Sequence, residues 1–83
     1  APDICVEVLS SGTVRHDRGR KLRMFERFGV QECWLVDPVA ELIEVRALRQ
    51  NQYDLIQSAG RADNLRSNAL AGFQCEVGTL FPW

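Results

Sequence analysis

Two side chains have types and positions that could do chemistry. Glu7 is a carboxylate inside the otherwise apolar run Ile4-Cys5-Val6-Glu7-Val8-Leu9, and an acid in that setting must be solvated, paired with a cation or bound to a metal. Lys21 is the only lysine beside nine arginines, one compact, tunable ammonium among guanidiniums of fixed charge. A carboxylate that holds a divalent metal, with an ammonium nearby to orient water or stabilise developing negative charge, supplies parts of metal-assisted phosphodiester hydrolysis. Each residue also has a plainer reading. Glu7 suits a half-exposed sheet face, and Lys21 suits an i,i+4 surface pair with Asp17, worth roughly a few tenths of a kcal/mol.

The elements that position these residues decide whether they can meet. Ile4 to Leu9 has the β-branched, period-two pattern of a strand, ended by Ser10-Ser11-Gly12. Thr13 can cap a helix that runs to Phe28, with Leu22, Phe25 and Phe28 on one stripe and Gly29 as its left-handed stop. Glu7 lies about 10 Å from its strand end, and Lys21 about 10 Å from the helix start. A helix folding back along the strand therefore puts Lys21 level with Glu7. Gln31 to Val36 reads as a buried central strand closed by Asp37-Pro38. Glu41 to Leu48 and Gln52 to Gln57 alternate around Arg49-Gln50-Asn51 and read as an antiparallel hairpin. Leu65 to Leu70 reads as a short strand or turn and Gly72 to Val77 as an extended piece, with Leu80-Phe81 covering an edge. A helix between two strands suited to parallel pairing, followed by a hairpin, predicts an α/β fold: a mixed sheet with a right-handed β-α-β crossover.

Other candidates fit less chemistry. Asp3 shares strand parity with Glu7, but about 13 Å of extended chain separates them, too far for one magnesium with ligands near 2.1 Å. Asp37 precedes Pro38 and reads as a turn residue, and His16, the only histidine, has no neighbour at ligand spacing. Residues 13–28 hold six cationic side chains and two acidic ones, net +4, against −1 for the whole chain and so −5 for the remainder. Such a face is either simply solvated or a phosphate-neutralising surface beside a metal site, with Arg15, Arg18 and Arg20 as the contacts. Trp34 belongs to the core, and Trp83 could stack on a base.

The 83 residues allow one domain, and 46% hydrophobic with 25% charged residues is the composition of an ordinary soluble globular chain. No apolar run approaches the length of a membrane span. Three widely spaced cysteines, Cys5, Cys33 and Cys75, form neither a disulfide framework nor a zinc motif, which fits a reducing, cytoplasmic setting.

The ordered segments Pro2 to Ser10, Asp17, Lys21-Leu22, Phe25 and Gly29 to Pro38, with the tail pieces Leu65-Arg66-Ser67, Ala71-Gly72-Phe73 and Leu80-Phe81, resemble the Uma-type putative restriction endonuclease family of the PD-(D/E)XK nuclease superfamily. The resemblance covers essentially the whole chain. It implies a restriction-endonuclease-like core and cleavage of DNA with Mg²⁺ or Mn²⁺. Glu7 matches the family's metal-binding acid, Val8 would offer its backbone carbonyl to the metal, and Lys21 matches the lysine on the following helix. The superfamily's E-x-K lysine would stand at Leu9, and this sequence departs there. Phe25 and Cys33 replace frequent tyrosines. The family's first metal-binding aspartate lies on an upstream strand, so the resemblance makes residues 1–83 the C-terminal portion of a larger domain. Alone, this chain is expected to bind metal poorly, to leave DNA uncut, and to form homodimers or larger assemblies through bare sheet edges. The competing reading is a noncatalytic nuclease-like module that binds DNA or protein.

Overall fold

The computed structural model describes residues 2–9 and 14–81, with the backbone alone for residues 14–18. Ser10-Ser11-Gly12, the Thr13 cap, the side chains of Arg15, His16, Asp17 and Arg18, and Trp83 lie outside the described residues. Strand β1 (Ile4–Val8) is followed by helix α1 (Val14–Phe28) and strand β2 (Glu32–Asp37). The two strands pair in parallel, from Ile4 opposite Glu32 to Val8 opposite Val36. Parallel neighbours cannot be joined by a tight turn, and α1 is the crossover that the geometry demands. Strands β3 (Leu42–Arg49) and β4 (Gln52–Gly60) then add antiparallel, giving the order β1-β2-β3-β4. The architecture is the mixed sheet expected from sequence.

Helix α1 ends because Gly29 adopts φ 72°. Gly29 N–H donates to the Glu26 carbonyl and Val30 N–H to the Phe25 carbonyl, the paired C-terminal bonds that a left-handed residue permits. No atom lies within 4 Å of where a Cβ would stand, so only the backbone conformation resists substitution. Gly29→Ala should cost about 1 kcal/mol, measurable as a drop in thermal midpoint; an unchanged midpoint would mean that the cap is not under strain.

Alternation along the strands divides the sheet into two faces. Tyr53 ties α1 to the sheet on one of them: its N–H donates to Glu26 Oε2 at 2.9 Å and its hydroxyl to the Val30 carbonyl at 2.8 Å. The other face carries the core of Ile43, Val45, Ala59, Leu65, Val77 and Phe81, with Trp34, Val36, Ile56 and Cys75 against it. It is covered by strands β5 (Asn64–Arg66) and β6 (Gln74–Glu76) and a single 3₁₀ turn at Val77–Thr79. The cover stops short of β1, where Val6 and Val8 remain 54% and 63% exposed.

Strand limits shift by a few residues from the sequence reading, and some differences have a physical cause. Strand β4 continues to Gly60 because one extra residue, Ile56, stands between the partners of Val45 and Arg46; this bulge breaks the alternation on which the shorter limit rested. In the β3–β4 turn both Gln50 and Asn51 take positive φ, 51° and 67°, the conformation a two-residue hairpin turn requires. Phe81 is 2% exposed and belongs to the core cluster with Ile43, Val45, Ala59, Leu65 and Val77, where the sequence suggested an edge cover.

Candidate active site

Strand β1 is an edge of its sheet. The Asp3 carbonyl accepts the Glu32 N–H at 3.2 Å, and the Leu9 N–H donates to the Val36 carbonyl at 2.8 Å. Parity then turns the backbone groups of Cys5 and Glu7 toward β2, and those of Ile4, Val6 and Val8 toward the open edge. The Val8 carbonyl is consequently free of the sheet ladder. Side chains alternate as well, so Cys5 and Glu7 stand on the opposite face from Val6 and Val8, the face crossed by α1.

Lys21 projects from α1 onto Glu7. Its Nζ lies 3.0 Å from Oε1 and 3.1 Å from Oε2, so one ammonium engages both carboxylate oxygens. The Glu7 side chain is 23% exposed and that of Lys21 50%. Water screens the pair, and its contribution to stability is below about 1 kcal/mol.

The neighbouring groups narrow the chemistry. Burial pushes the Cys5 thiol above its ordinary range, with the Glu7 charge adding to it. The Cys33 thiol, opposite Cys5 in the parallel register, is pushed up to about 12, chiefly by burial and then by Cys5 and Glu7. Both stay protonated near neutrality and are poor nucleophiles. Asp3 is exposed at the far end of β1, and Asp37 closes the turn after β2 by accepting the Val39 and Ala40 N–H groups, each at 3.1 Å. Arg20 is exposed on α1. Among the described residues no group of three or more His, Cys, Asp or Glu side chains comes together as a metal cluster, and no helix is long and apolar enough to cross a membrane.

One important carboxylate had no signal in the sequence. Glu32, at the start of β2, is 1% exposed. It accepts hydrogen bonds from Trp34 Nε1 at 2.7 Å, Ser67 Oγ at 2.6 Å, Asn68 N–H at 2.8 Å and Ala69 N–H at 3.1 Å. Burial alone would raise its pKa, but bonds from Ser67, Trp34, Ala69 and Asn68 more than offset this and hold it below the usual carboxylate range. Glu32 thus latches the C-terminal cover onto β2. Trp34 completes the latch by stacking, tilted, on Phe73 with ring centroids 5.5 Å apart.

The latch carries a pH signature. A depressed pKa in the folded state adds stability that is fully present above the unfolded value near 4.5 and is lost as pH falls through the folded value. Wild-type protein should lose stability below that point more steeply than Glu32→Gln. At pH 7 the amide, which cannot accept all four bonds, should cost about 2–4 kcal/mol. Parallel pH curves for the two proteins would remove Glu32 from this role.

The comparisons agree with this frame. No curated protein sequence matches the chain. A crystal structure described as that of a putative nuclease from Anabaena variabilis superposes with a TM-score of 0.74 at 20% sequence identity. The match covers 100% of this chain and 45% of that one, so the chain spans a little under half the length of its solved relative. At that identity the likeness establishes the fold. The family model described as a putative restriction endonuclease, Uma-type, matches residues 1–78, and the chain belongs to that family.

Proposed function

We propose that the chain contributes the Glu7–Lys21 half of the active site of a divalent-metal-dependent DNA endonuclease. The observation that carries this reading is the engagement of both Glu7 oxygens by the single lysine, at 3.0 and 3.1 Å, beside an open strand edge.

Magnesium takes about six oxygen ligands in near-octahedral geometry. The described residues offer it the Glu7 carboxylate and the outward Val8 carbonyl. That set suits an ion held by one or two carboxylates, with water and substrate phosphate completing the shell. It does not suit a self-sufficient protein cage, and weak binding in the absence of DNA follows. Mn²⁺ has the same preference for oxygen and would substitute. When bound, the metal supplies charge stabilisation at the phosphoryl group and a water of lowered pKa.

The chain's own residues do the rest. Glu7 would hold the cation at the β1 edge. Lys21, a point charge on a flexible stem, reaches the phosphoryl oxygens as negative charge develops there. Hydrolysis bonds a water oxygen to phosphorus and breaks one P–O ester bond; the water's proton passes to solvent and the departing oxygen regains one. Arg15, Arg18 and Arg20 neutralise flanking phosphates. The exposed Val6 and Val8 suit contact with further protein surface, a second copy of the chain among them, and the three free cysteines support a reducing, cytoplasmic setting.

The test is cleavage of supercoiled plasmid by the full-length gene product in Mg²⁺, in Mn²⁺ and in chelator. Cleavage that requires either metal agrees with the proposal. A noncatalytic DNA-binding module, favoured by the single carboxylate at the site among the described residues, instead binds plasmid and leaves it intact under all three conditions.

A further inference from the structure

We propose that the outer face of α1, along Arg20, Arg23 and Arg27, is the track on which the phosphate backbone of duplex DNA runs from the Lys21 site toward the β3–β4 turn. This inference rests on the endonuclease reading and extends it to residues beyond the N-terminal turn of the helix. At 100° per residue, positions 20, 23 and 27 fall within about a 60° arc, opposite the inward-facing Leu22 and Phe25. All three arginines are exposed.

Among the described residues none of the three has an ion-pair partner. The ion pairs among the described residues are Lys21–Glu7, Arg46–Glu44 and Arg61–Glu41. Glu26, which shares a groove with Arg23 and Arg27, spends one carboxylate oxygen on the Tyr53 N–H. Like charges at such spacings repel and weaken a helix, so a stripe of this kind stands ready for an anionic partner. A shallow groove lined by Arg20, Lys21, Met24 and Arg27 joins the stripe to the Glu7 pair. A second, lined by Arg23, Glu26, Arg27 and Asn51, continues it to the hairpin turn.

The dimensions suit duplex DNA. Arg20 and Arg27 are about 10 Å apart along the helix axis, the rise of about three phosphates on one strand at 3.4 Å each. The chain's net charge of −1 gives no general attraction for a polyanion, so binding depends on a local patch.

Fluorescence anisotropy of a labelled 30-base-pair duplex with the full-length gene product, in chelator to prevent cleavage, tests the track. Arg23→Gln/Arg27→Gln should weaken binding at least about tenfold at low salt. It should also flatten the slope of log K against log salt by about 1.8, at about 0.9 for each phosphate that is no longer neutralised. Arg66→Gln, on β5 away from α1, should change neither. Wild-type affinity and slope in the double variant would overturn the track while leaving the endonuclease reading intact, as would weaker binding at an unchanged slope. If α1 instead docks an acidic protein, the double variant keeps full DNA binding, which is the same overturning result. Absence of salt-dependent DNA binding by the wild type would overturn the endonuclease reading and the track together.

Discussion

Glu7→Gln should abolish DNA cleavage, lowering the rate by at least about a thousandfold, or about 4 kcal/mol of transition-state stabilisation, while leaving the fold intact. The amide has the size of the carboxylate but lacks the charge that holds a hard cation. The pair with Lys21 that it removes is half in water and contributes below about 1 kcal/mol to stability. The variant should therefore keep its thermal midpoint within a few degrees and still bind DNA. Activity retained within tenfold would show that Glu7 is an ordinary surface acid.

Lys21→Met should separate two effects that a structural pair would keep together. Cleavage should fall about a hundredfold or more, because a charge aimed at the developing negative charge is removed. Divalent-metal affinity should rise about tenfold, because the ammonium that occupies both Glu7 oxygens no longer competes with, or repels, the incoming cation. Lys21→Arg keeps the repulsion and should not show the gain in affinity. If Lys21 served only to hold Glu7 in place, Lys21→Met would weaken metal binding and cleavage alike.

Sequence reading reached the Glu7–Lys21 pair because both residues lie in the most regular part of the chain. Strand parity, a rise of 1.5 Å per helical residue and the obligatory crossover between parallel strands were enough to put them level. Gly29 was equally legible, since few residues other than glycine accept its φ of 72°. Glu32 was not legible. Its partners Ser67, Asn68 and Ala69 are 35 to 37 residues away, and local pattern carries no information on a contact made by tertiary packing. The Ile56 bulge and the burial of Phe81 have the same origin: each is set by what lies across the sheet. The Arg20, Arg23 and Arg27 stripe falls between these cases. Its spacing was open to reading, but the lack of an ion-pair partner among the described residues and the bond from Tyr53 to Glu26 were not.

The most direct test of the account is Mn²⁺ binding to DNA-free full-length protein, measured by calorimetry on the wild type, Glu7→Gln and Lys21→Met. The account predicts weak but measurable binding in the wild type, none in Glu7→Gln and tighter binding in Lys21→Met. Equal affinity in the wild type and Glu7→Gln would contradict it, because the metal would then be held without the carboxylate that Lys21 engages.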